Sequence, residues 1–167
     1  MHSEPDARRC AIHLLANPGD IHYWLGCALE RLDETTAASS RWTLAAAREG
    51  DFQEMSVRAF SEMTFYSALA SEKLGQHAKA RRLLRGLLAH ARRLQKARAT
   101  IDYFATSLPT LLLFDDDPQF RQETAALFLQ AQAHMGLGNR VRGNALLAEV
   151  LRRDPNHEMA ADLAQTI

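Results

Sequence analysis

The side chains of this 167-residue chain that could do chemistry are seven histidines, two cysteines, an aspartate run and a row of basic residues. None of them has the spacing that a known chemistry needs. His13 and His22 are separated by a turn, and no H-E-x-x-H exists to put two imidazoles on one helix face. His134 falls at a position expected to pack against a following helix. Cys10 and Cys27 do not form a C-x-x-C pair, and two thiols cannot complete a structural zinc site. They are expected to be small buried thiols of a cytoplasmic protein. Asp115, Asp116 and Asp117 lack the alternating oxygens, central glycine and closing glutamate of a calcium loop, so helix capping is the better account. Ser61, Ser67, Ser71 and Ser107 lie in no nucleophile elbow, and there is no phosphate-cradling glycine loop. No pair of carboxylates stands out for glycosidic chemistry. The expectation is therefore no catalytic residue, no cofactor and no metal.

The basic residues cluster between 77 and 98: Lys79, Arg81, Arg82, Arg85, Arg92, Arg93, Lys96 and Arg98, with no acid among them. Leu83, Leu84, Leu87, Leu88, Ala91 and Leu94 make an apolar stripe along the same segment. The arginines then read as the solvated face of an amphipathic helix, with a dock for an acidic partner as the sharper alternative. Lysine plus arginine equals 20, as does aspartate plus glutamate, so the net charge is zero. That argues against nucleic acid and anionic lipid as partners. No aromatic residues interleave with the arginines to stack on bases.

The elements that carry these groups are helices. Hydrophobic residues are 47 % and charged residues 24 % of the chain, which is the balance of a single globular domain, here residues 1–167. Apolar runs such as Leu111 to Phe114 are too short to span a membrane, and Met1 to Asp6 lack the apolar stretch of a signal peptide. Glycines and prolines fall at intervals, and between them apolar residues recur three and four apart. The pattern predicts helices near 5–16, 20–32, 34–49, 53–74, 77–97, 100–107, 118–136, 140–153 and 157–165, and no strand. Asp20 is expected to cap the second of these. Asp117 before Pro118 is a capping pair, and Gly75 and Gly138 stand where a helix must turn off in the left-handed region.

Small residues recur in the helices at matching places. The last unit has Leu127, Ala131, His134, Gly138, Gly143, Leu147, Val150 and Pro155; the one before it has Ala68, Gly75, Ala80, Leu84 and Leu87. The first has Trp24, Leu25, Gly26 and Leu29, then Ala38, Trp42 and Ala45. Two antiparallel helices approach closely only where side chains are small, so Ala131 should face Gly143. The pattern resembles the tetratricopeptide repeat, with residues 100–118 extra relative to a unit of about 34 residues. The resemblance implies an all-α fold of antiparallel helical hairpins in a right-handed superhelix, with an irregular connection near 100–117. It also implies a binding or scaffolding module whose first helices line a concave groove. On that register the groove residues are Tyr23, Glu30, Arg31, Glu62, Phe65, Glu72, Lys73, Phe128, Gln132 and Met135. The alternative is that these aromatics are core and these charges only solvate the surface.

Residues 101–117, with 22–28 and 154–157, are also similar to the helical C-terminal region of a family of large, uncharacterised bacterial proteins with a β-rich N-terminal portion resembling sugar enzymes. That likeness implies a fragment or stand-alone relative of a larger protein. The partner would be a protein or peptide, a second copy of the chain, or the β-rich portion itself. An auxiliary helical part of a carbohydrate-active enzyme is the second function it implies.

Overall fold

The computed structural model describes residues 17–47, 51–53, 56–99 and 117–165. The helices are α1 (Gly19–Arg31), α2 (Thr35–Ala46), α3 (Glu62–Lys73), α4 (His77–Lys96), α5 (Pro118–Gly136), α6 (Arg140–Arg153) and α7 (Glu158–Gln165). Two three-residue strands, β1 (Asp51–Gln53) and β2 (Ser56–Arg58), lie between α2 and α3. The expected helices near 5–16 and 100–107, and the connection near 100–117 as far as residue 116, lie outside the described residues.

Three hairpins, α1–α2, α3–α4 and α5–α6, stack in order. α3 packs on α1, α2, α4 and α5, α5 also packs on α4 and α6, and α7 closes on α6. The expected all-α, tetratricopeptide-like array is what the chain builds. The three hairpin turns are the same structure. In each, the second residue after the first helix has positive φ: Asp33 at 61°, Gly75 at 75° and Gly138 at 83°. The next amide then reaches back to the last turn of the helix, from Glu34 to the Leu29 carbonyl at 3.0 Å, Gln76 to Ser71 at 2.8 Å and Asn139 to His134 at 2.8 Å. This is the glycine-type helix stop, and in the first hairpin an aspartate occupies it.

Small residues set the approach of the helices. Gly26 with Ala38, Ala68 with Ala80, and Ala131 with Gly143 are all buried at the crossings. A Cβ placed on Gly143 would meet the Met135 side chain first and then the Ala131 carbonyl oxygen, 3.4 Å away, so Gly143 packs against this stretch of α5. Phe65, Leu84, Leu87, Phe128, Leu147 and Val150 belong to a core shared by the second and third hairpins, while Trp42 centres a smaller one in the first. Polar ties join the layers. Ser67 donates to the Ala45 carbonyl at 3.0 Å, Lys79 closes the end of α2 by donating to the Ala46 carbonyl at 2.8 Å, and Gln122 closes the end of α4 at the Leu94 and Ala97 carbonyls.

Two expectations are corrected. The helix expected over 53–74 starts only at Glu62, and the backbone before it makes an antiparallel hairpin pairing Asp51 with Arg58, Phe52 with Val57 and Gln53 with Ser56. The reason is a capping box. Ser61 is extended (φ −147°), accepts from the Met63 amide at 3.2 Å, and its own N–H donates to Thr64 Oγ1 at 3.0 Å. A residue serving that role cannot also continue a helix backwards. Asp20 is not the cap of α1, because the helix begins at Gly19. Its carboxylate instead accepts from the Ile21 amide at 2.8 Å, inside the first turn, where the helix dipole favours negative charge. Asp117 caps α5 as expected, accepting from Gln119 at 2.8 Å and Phe120 at 3.2 Å.

Candidate functional site

The first helices of the hairpins stand side by side, and a cavity of about 490 Å³ opens along them. α1 brings Tyr23 and Trp24 to it; α3 brings Phe65, Tyr66 and Leu69. The far side is Met135 and Gly136 at the end of α5, Arg140 at the start of α6, and Asp162, Leu163 and Gln165 of α7.

The rings form a connected cluster. Tyr23 and Trp24 meet edge to face with centroids 5.1 Å apart, Tyr23 and Tyr66 are 6.0 Å apart at 50°, and Phe65 meets Tyr66 at 5.5 Å and 70°. Such inclined arrangements are what the ring quadrupoles favour. Burial pushes the Tyr66 hydroxyl above the ordinary phenol value, the Asp20 and Asp162 carboxylates push it further, and a hydrogen bond with Trp24 partly offsets them. Burial likewise raises Tyr23, with Cys27, Glu30 and Tyr66 adding to it. Both phenols are thus held neutral in acidic surroundings, as hydrogen-bonding and π surfaces rather than as anions.

Tyr23, Phe65 and Met135 of the expected groove are brought together here. Glu30 and Lys73 pair with each other across α1 and α3, with the Lys73 ammonium 5.1 Å from the centre of the Trp42 ring. Glu72 pairs with His77 across the α3–α4 turn. Arg31 is exposed at the end of α1, and Glu62 starts α3. Phe128 and Gln132 are corrections. Phe128 is 1 % exposed, with the His157 ring 4.5 Å away, and Gln132 is fully buried, its amide donating to the Glu62 carbonyl at 3.3 Å. Both belong to the packing between elements and not to the groove.

The rest of the lining, including Trp24, Tyr66, Arg140 and Asp162, was not part of the expected groove. A signal existed for the first two. Trp24 and Tyr66 each stand two residues before the small crossing residues Gly26 and Ala68, so they are equivalent positions of two units. No repeat logic points to α7, whose side chains enter as the neighbour of the last hairpin.

The other chemistry-bearing groups do not line the cavity. Cys27 is half-buried beside Tyr23 rather than fully enclosed, and Cys10 lies outside the described residues. Burial, then the Arg92 and Arg142 charges, lower the His134 pKa. Arg81, Arg85, Arg92 and Arg93 are exposed on α4, which lends no residue to the cavity. Among the described residues no group of histidine, cysteine or carboxylate side chains could hold a metal ion, and no helix is long and apolar enough to cross a membrane.

Residues 125–157, most of α5 and all of α6, match the family model of the tetratricopeptide repeat. No curated protein and no solved structure matches the chain. Of the residues that carry the likeness to the large bacterial proteins, 101–116 lie outside the described residues.

Proposed function

We propose that the chain is a non-catalytic interaction module that holds a segment of a partner protein in the cavity between α1, α3, α5 and α7. The observation that carries this reading is the cavity's lining, where four rings and three further apolar side chains are rimmed by Arg140, Asp162 and Gln165. Aromatic anchors encircled by polar groups are what desolvates a partner side chain and fixes its orientation. A repeat of this type commonly serves as a surface for other proteins, and one hairpin of this chain matches it. The mixed rim and zero net charge suit a protein segment better than a polyanion.

The test is selection of a random dodecapeptide library on the full chain, followed by titration of the selected peptides. Trp24 is 45 % exposed, so Trp24→Ala removes a wall of the cavity with little cost to folding. Binding should fall at least about tenfold in Trp24→Ala and in Tyr66→Ala, with helical circular dichroism unchanged. Peptides that bind both variants as well as the parent chain would overturn the reading.

A further inference from the structure

Away from the cavity, α4 takes Lys79, Arg81, Arg82, Arg85, Arg92, Arg93 and Lys96 from the chain's 20 basic residues and none of its 20 acidic ones. Leu83, Leu84, Leu87 and Ala91 bury one side of the helix. Arg81, Arg85, Arg92 and Lys96 run along the other in a single row, exposed over about 22 Å. Lys79 is committed to the Ala46 carbonyl and stands outside the row. Elsewhere in the stack, surface bases have acids beside them: Lys73 pairs with Glu30, Arg152 with Glu149 at 2.7 Å, and Arg153 with Glu123 at 2.9 Å. Among the described residues no ion pair involves the four of the row. Like charges four apart weaken a helix, here Arg81 with Arg85 and Arg92 with Lys96. A face that only keeps the chain in solution gains nothing from that arrangement, since alternating signs solvate as well and stabilise. A local rule broken with no return inside the fold marks a surface used for something else.

We infer that the outer face of α4 docks an acidic helix of a partner protein, with its carboxylates on Arg81, Arg85, Arg92 and Lys96. This surface is independent of the cavity, to which α4 lends no residue. Ala78 and Ala89 are exposed in the same row, so a partner helix lies close there while the arginines reach its carboxylates from the side. Each guanidinium offers a carboxylate two parallel hydrogen bonds. A nucleic acid is the poorer fit. The chain is neutral overall and α4 is basic, so the remainder is net acidic. A long polyanion running past the ends of the row would meet that remainder, whereas an acidic helix of about four turns ends where the row ends.

The test titrates the full chain into a fluorescein-labelled alanine-based helical peptide with glutamates along one face, read by anisotropy at low and moderate salt. Two control peptides have the same glutamates scattered round the helix, or glutamine in their place. The one-faced glutamate peptide should bind, and each control about tenfold more weakly. The triple variant Arg81→Gln, Arg85→Gln, Arg92→Gln should lose at least about tenfold in affinity while its thermal midpoint holds or rises, because like charges have been removed. Trp24→Ala, which disables the cavity, should bind the peptide as the parent chain does. No binding at low salt, or equal binding by the triple variant, overturns the inference. Equal binding of the scattered peptide overturns it by showing diffuse attraction alone. Loss of binding in Trp24→Ala overturns it in favour of the cavity. A DNA duplex of equal charge that binds more tightly than the peptide overturns it in favour of nucleic acid.

Discussion

Gly26 of α1 lies directly against the indole of Trp42 of α2, so close that a Cβ at Gly26 would stand 2.4 Å from Nε1 and 2.6 Å from Cδ1. The equivalent pairs in the other hairpins are Ala68 with Leu84 and Ala131 with Leu147, at the same separation along the chain. A larger ring in the second helix is therefore matched by a smaller residue in the first. Relative to the other hairpins, the first redistributes side-chain volume between its two helices.

That relationship predicts a coupled pair of substitutions. Gly26→Ala should destabilise by about 1–3 kcal/mol through overpacking against a ring that is 5 % exposed, offset by up to about 1 kcal/mol from better helix propensity. Trp42→Leu alone should cost about 2–4 kcal/mol through the space it leaves. The double variant recreates the alanine–leucine pair of the other hairpins, and should be less destabilised than the two single effects added. Urea unfolding of the four proteins measures the coupling, and simple additivity would show that the two side chains do not share the space.

The three equivalent turns predict opposite effects at equivalent places. Gly138 has φ 83° with nothing within 4 Å of its missing Cβ, so Gly138→Ala costs only backbone strain, about 1–2 kcal/mol. Asp33 holds the same conformation at φ 61° with a side chain, so Asp33→Gly should be neutral or stabilising by up to about 1 kcal/mol. Thermal unfolding midpoints moving in opposite directions would verify the equivalence. A fall for both would mean that the Asp33 side chain contributes more than its backbone angle costs.

Acid should weaken the stack in two steps. His134 is held below its ordinary value of 6.5 by burial and by Arg92 and Arg142. Its contribution is complete above pH 6.5 and is lost as pH falls toward the lowered folded value, because the unfolded chain takes up the proton first. Glu123 is held below 4.5 by its hydrogen bond from Arg153, 2.9 Å away, and by one from Gln119. Its contribution is complete above 4.5 and is lost below it, by the same sign. In midpoints measured from pH 7 to pH 3, His134→Gln should flatten the first decline and Glu123→Gln the second. Unchanged profiles would show that neither group is linked to folding.

Much of the fold was legible because helices announce themselves locally. The Asp117–Pro118 start of α5, the glycine stops at 75 and 138, and the small residues at the three crossings needed only neighbours in the chain. The helix expected through 53–61 failed for a local reason too, since the Ser61–Thr64 box outweighed an apolar periodicity that ran through it. Asp33 was hidden because aspartate adopts the left-handed turn less often than glycine and carries no fixed signal for it.

The groove residues divide differently. Tyr23, Phe65 and Phe128 hold one position of the repeat, each three residues before its small crossing residue, and the sequence by itself marks them as equals. Tertiary structure separates them. Tyr23 and Phe65 line the cavity, while Phe128 is enclosed beside His157, just before α7. Helix ends, turns and hairpin crossings depend on residues a few places apart, so composition and spacing determined them. Which side of a hairpin stays open, and that Asp162 and Arg140 flank the rings, depends on elements distant in the chain meeting in space, and only the packed stack decides that.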